Sequence, residues 1–163
     1  MSWLQTQVKE NPQKLFIKEG EQAFSYIEIS QMVQVYIKAF LQEGIQPRDR
    51  ILIYLPGGIE MVEIILCCFE IGAIATPISR RLTKSERDAV IKTIQPRLII
   101  TNWSERDALR SVSYPHSCIE ELPGSSGGCS IFINEYEKNP DDVCVILLTA
   151  GTTGIPKAVQ LTH

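Results

Sequence analysis

Apolar residues along this chain fall into two kinds of stretch, helix-period patterns and short continuous runs, and their order predicts the architecture. Trp3, Leu4 and Val8 lie on one side of a short helix that ends by Pro12. Brief strand-like runs at 15–17 and 22–24 flank Glu19-Gly20-Glu21, where the glycine supplies a hairpin turn. Ser25 with Glu28 three residues later forms a capping box. It opens a long helix carrying Ile29, Met32, Val33, Tyr36, Ala39 and Phe40 at helical spacing and closing at Gly44.

From there strands and helices alternate. A buried-type strand spans 50–55, Pro56-Gly57-Gly58 turns, a helix covers 59–71 and a second strand covers 72–78. Thr83 and Glu86 make another capping box, for a helix ending near Gln95-Pro96, and a third strand runs over 97–101. Strand-helix-strand-helix-strand at this spacing predicts parallel pairing with right-handed crossovers, an α/β sheet covered by helices. A small helix over 104–110 follows, and the pattern then weakens between 113 and 140. There Pro123-Gly124-Ser125-Ser126-Gly127-Gly128 reads as a surface loop rather than a domain boundary. A strand over 143–148, a glycine-threonine loop and a short strand over 158–161 close the pattern, with Thr162 placed to cap a further helix.

Composition supports a single core. A chain of 163 residues, 44% hydrophobic, is of a size that buries roughly 70% of its extended surface. The net charge of -3 spreads lysines and arginines among carboxylates, so no basic stripe invites nucleic acid. The N-terminus lacks a basic start and apolar run, and the longest apolar stretch, 59–71, is interrupted by Glu60, Glu63 and Glu70. The expectation is a cytoplasmic protein without a membrane span. Five cysteines, an odd number without Cys-x-x-Cys spacing, read as buried reduced thiols. Glu60 and Glu63 read as a solvated helix face, and His116 has no ligand-spaced partner.

The chemistry lies at 146–157, where an apolar strand runs into Thr149-Ala150-Gly151-Thr152-Thr153-Gly154-Ile155-Pro156-Lys157. Glycines let main-chain N–H groups turn toward an anion, hydroxyls add donors and the lysine adds charge: a phosphate cradle. It is not a Walker A loop, because no lysine directly follows a glycine and precedes a hydroxyl residue. A plain hairpin connection is the alternative for the loop. For Lys157 the alternative is a solvated charge, and His163 reads as exposed.

This segment resembles the signature loop of the adenylate-forming enzymes: acyl-CoA and aryl-CoA synthetases, luciferases and peptide-synthetase adenylation domains. Other matches run along the chain. Phe24-Ser25-Tyr26-Ile27-Glu28 is similar to the family's "TYxEL" helix start, and Gln46-Pro47-Arg48-Asp49-Arg50-Ile51 to its "xGDRV" lead-in. Leu55-Pro56 resembles "LPN", and Gly72-Ala73-Ile74-Ala75-Thr76-Pro77 resembles "GAvxvP". Ala150 and Ala158 depart from the small hydroxyl or glycine residues common at those places. Residues 77–87 resemble the o-succinylbenzoate-CoA ligases.

The resemblance implies a parallel-sheet-containing, layered α/β subdomain, residues 1–163 being an incomplete N-terminal AMP-binding domain. It implies that Thr149, Gly151, Thr152, Thr153 and Gly154, with Ala150 among them, wrap the β- and γ-phosphates of ATP, and that Lys157 assists electrostatically. Mg2+ accompanies ATP, the reaction activates a small carboxylic acid to an acyl-adenylate, and coenzyme A accepts the acyl group. No catalytic residue and no metal ligand of the family can be carried onto this chain, which is expected to be inactive alone and to self-associate through exposed sheet surface. The rival readings are a non-catalytic nucleotide- or phosphate-binding module or relic, and an adenylation fragment of a peptide synthetase.

Overall fold

Reciprocal caps start three of the helices. The computed structural model describes residues 2–122, 136, 139–149 and 157–162. Ser2 Oγ accepts from the Gln5 amide at 3.1 Å, and Gln5 Oε1 accepts from the Ser2 amide, at the start of α1 (Trp3–Glu10). A two-stranded antiparallel hairpin, β1 (Leu15–Glu19) and β2 (Gln22–Ser25), leads to α2 (Tyr26–Gln42). There Glu28 Oε2 accepts from both the Ser25 amide at 2.8 Å and the Ser25 hydroxyl at 2.6 Å. Thr83 and Glu86 repeat the device at α4 (Lys84–Ile94), so the charged carboxylate sits where the helix dipole favours it.

Between α2 and α4 the chain forms β3 (Arg50–Ile53), α3 (Ile59–Ile71) and β4 (Ile74–Pro77). After α4 come β5 (Leu98–Thr101), a 3-10 turn at Arg106–Leu109, β6 (His116–Cys118), and a second such turn at Ile119–Glu121. The last strands are β7 (Val143–Thr149) and β8 (Lys157–Thr162). Six strands make one sheet in the order β6-β5-β3-β4-β7-β8. All neighbours are parallel except β7 and β8, so the sheet is mixed and the expected α/β class holds.

Strand alternation splits the core in two. Ile51 and Ile53 face a cluster formed with Ile29, Val33 and Phe40 of α2 and Ile64 and Ile71 of α3. Leu52 and Tyr54 face the other cluster, with Val90, Ile91 and Ile94 of α4. Each fully buried isoleucine contributes roughly 1.5–3 kcal/mol.

Several local expectations change. Strand β3 ends at Ile53 rather than 55. Residues 104–110 yield only one 3-10 turn. Thr162 is the last residue of β8, and the helix expected to start after it lies outside the described residues. Strand β6 was not foreseen, because His116-Ser117-Cys118 carries no apolar alternation and owes its conformation to the β5 edge. Trp3 does not share the burial of Leu4: it is 55% exposed, with its ring against Phe16 and Tyr26 at centroid distances of 6.1 and 6.0 Å. The loop expected at 123–128 lies outside the described residues.

Candidate phosphate-binding site

Strand β7 opens on a continuous apolar run rich in β-branched residues, Val143-Cys144-Val145-Ile146-Leu147-Leu148, with Cys144 and Ile146 turned into the interior. It lies parallel to β4, with Val145 beside Ala75. Its carboxyl end therefore points the same way as those of β3, β4 and β5, the side on which open α/β sheets bind ligands. The chain returns antiparallel as β8, and the ladder pairs Leu148 with Ala158 and Thr149 with Lys157. Thr149 Oγ1 donates to the Lys157 carbonyl at 3.4 Å, and both residues are exposed.

Thr149 and Lys157 are thus opposite one another at the end of a hairpin whose connection is the glycine-threonine segment. Ala150, Gly151, Thr152, Thr153 and Gly154 lie outside the described residues, as do His163 and Cys129. Thr149 offers a hydroxyl and Lys157 a cation, a donor set matched to anionic oxygens rather than to a metal. Among the described residues no group of three His, Cys, Asp or Glu side chains is placed to hold a metal ion.

Two of the arginines following β4 are engaged through their side chains. Arg80 Nη1 pairs with Glu105 Oε1 at 2.6 Å. Arg87, in the first turn of α4, is buried with its guanidinium 5.8 Å from the Tyr54 ring centroid and its Nε 3.7 Å from Asp88 Oδ1. His116 Nδ1 lies 3.3 Å from the Tyr114 carbonyl. Cys67, Cys68, Cys118 and Cys144 are free and buried as expected, and burial pushes each of these thiols up from its ordinary value.

The reading of Glu63 as solvated is corrected. Only 2% of its surface is exposed, and Oε1 has no hydrogen-bond partner among the described residues. Burial lifts its carboxyl to about 7, the charges of Glu60 and Glu19 push the same way, and the Tyr36 hydroxyl opposes them. The cause is the position of α3, which packs against both the sheet and α2 and so has little solvated face. An almost wholly apolar helix pattern gives no period from which to tell that face in advance.

The AMP-binding enzyme family model matches residues 4–163. The 2-succinylbenzoate--CoA ligase of Oceanobacillus iheyensis is 30% identical over 164 residues, covering 98% of this chain and 33% of that protein. The 4-coumarate--CoA ligase 2 of Nicotiana tabacum is 29% identical over 158 residues, covering 88% of this chain and 29% of that protein. The chain thus spans about a third of the length of these curated relatives. The solved structure of O-succinylbenzoate Coenzyme A Synthetase from Bacillus subtilis, in complex with ATP and magnesium ion, superposes with a TM-score of 0.85. It covers 99% of this chain and 43% of that one at 22% identity, which speaks for the fold.

Proposed function

The chain belongs to the AMP-binding enzyme family, and on that premise we propose that residues 1–163 are the N-terminal part of an AMP-forming acid–CoA ligase. The proposed reaction joins a small carboxylic acid to AMP, releasing pyrophosphate, and then transfers the acyl group to the thiol of coenzyme A. Thr149, Gly151, Thr152, Thr153 and Gly154 would embrace the β- and γ-phosphates, with Ala150 giving room and Lys157 adding charge. Leaving-group stabilisation is the physical need: pyrophosphate departs carrying charge that converging donors disperse. Mg2+ would come with ATP, held by phosphate oxygens.

One observation carries this reading. In a chain of this family, the hairpin register puts Thr149 opposite Lys157 at the carboxyl ends of the parallel strands of a mixed sheet, bracketing the glycine-threonine segment. Kinship with the 2-succinylbenzoate--CoA ligase and the resemblance at 77–87 make an aryl-type acid the first to try. Because the chain spans about a third of such relatives, turnover is proposed for the protein of the complete reading frame containing these residues, and none for residues 1–163 alone. The proposal includes a cytoplasmic location, in keeping with the reduced buried thiols; no helix among the described residues is long and apolar enough to cross a membrane.

The test is acid-dependent ATP–pyrophosphate exchange across a panel of carboxylic acids. Replacing Thr152 and Thr153 by Ala should lower it roughly 100-fold, the scale for removing transition-state donors. Unchanged exchange would remove the segment from the reaction, and acid-dependent AMP production by residues 1–163 alone would refute the claim that they need the remainder.

A further inference from the structure

At the amino ends of β3, β4 and β7 three chain segments meet. Arg48 stands two residues before β3 in the left-handed region, with φ 70, a conformation that favours glycine. Its amide donates to the carbonyl of Gly72, the residue that ends α3, at 2.7 Å. Its guanidinium reaches across to Asp142, immediately before β7, with Nη2 3.0 Å from Oδ1. Tyr136 donates its hydroxyl to Asp142 Oδ2 at 2.6 Å, so both carboxylate oxygens are occupied. The Tyr136 ring lies over Gly72 so closely that a Cβ there would overlap it.

Strand β7 needs such an anchor. Its ladder with β4 pairs Val145 with Ala75, while its long ladder is with β8, which travels with it as one hairpin. A slip of two residues along β4 keeps the same faces inward yet carries Thr149 about 7 Å along the sheet. The buried Cys144 and Ile146 resist a one-residue slip but not that one. Asp142 joins the start of β7 to the segments that begin β3 and end α3, and a strand transmits its position to its far end.

We propose that Arg48, Tyr136 and Asp142 are positioning residues: a clasp that fixes where β7 sits along β4 and thereby sets Thr149 and Lys157 for the phosphates of ATP. This rests on the function proposed above. The clasp is polar and Arg48 is 76% exposed, so it is open to salt.

The experiment compares Arg48→Gly, Arg48→Lys, Asp142→Asn and Tyr136→Phe in the enzyme of the complete reading frame, measuring KM for MgATP, KM for the acid and kcat separately. Arg48→Gly eases the backbone, so if the side chain were merely tolerated it would be neutral or beneficial. The expected result is instead a roughly fivefold rise in KM for MgATP in Arg48→Gly and Asp142→Asn, with KM for the acid unchanged. Arg48→Lys should restore most of the loss, and the Arg48→Gly/Asp142→Asn double variant should be no worse than either single. A fall in kcat with both KM values unchanged, the mark of a smaller folded fraction, overturns the proposal.

Amide hydrogen exchange on residues 1–163 reads the clasp without activity. Tyr136→Phe, which keeps the ring on Gly72, and Arg48→Gly should both speed exchange across β7 and leave α4 unaltered. Equal protection of β7 overturns the clasp even if the wild-type enzyme activates no acid, an outcome that would instead sink the reaction.

Discussion

Glu63 shows how one side chain sets a pH dependence for the whole domain. Its carboxyl is held at about 7 in the folded protein against an ordinary 4.5, so the folded state binds its proton more tightly than the unfolded state. Raising pH from 4.5 through 7 therefore withdraws stability, on the order of 3 kcal/mol, which is fully lost above that range. Glu60 on the same helix, Glu19 from β1 and Tyr36 from α2 are the groups that act on it. Glu63→Gln should remove this slope and stabilise the protein by about 2–3 kcal/mol at pH 8 while changing little at pH 5, as urea unfolding at the two pH values would report. An equal effect at both would show that the proton is not the cause. Nothing in the sequence separated Glu63 from Glu60, because both interrupt the same apolar run; which one is buried depends on the contact with α2.

At the scale of elements, legibility followed local chemistry. Helix α3 spans 59–71 as the pattern predicts, and the capping boxes at Ser25 and Thr83 form as read, since each needs only residues three apart. Thr83→Ala should lower stability by about 1 kcal/mol and speed amide exchange in the first turn of α4, and full protection there would deny the cap its role. Gly72→Ala should be costlier, because φ 74 and the Tyr136 ring both oppose a Cβ; a loss of more than about 2 kcal/mol in thermal or urea unfolding is expected. Strand β6 escaped notice because its pairing, not its composition, makes it a strand. Of the candidate phosphate site, the sequence assigns Thr149 and Lys157 to the loop between two strands; that they are instead the last pair of the β7–β8 ladder was not legible, since register depends on hydrogen bonds between strands.

For the whole molecule, parallel alternation predicted a sheet but could not order it. That β5 crosses to the far side of β3 and β4 receives β7 are facts of long-range packing, unseen in any window of sequence. Strand β8 is exposed throughout and, with Leu147, Val159 and Leu161 each 40–43% exposed, presents an apolar hairpin surface. We expect residues 1–163 to self-associate through it: sedimentation should show a concentration-dependent increase in mass that Val159→Lys with Leu161→Lys abolishes. A monomer at all concentrations would count against that surface. The placement of β7 beside β4 also bears on how the chain is made. β3, α3, β4, α4 and β5 are consecutive and can assemble as they leave the ribosome, whereas the flank of β4 that receives β7 stays bare until a much later stretch has been translated. Pairing between distant segments is slow, so we expect this nascent edge to stay uncovered longest during synthesis, while the segment between α4 and β7 is being made.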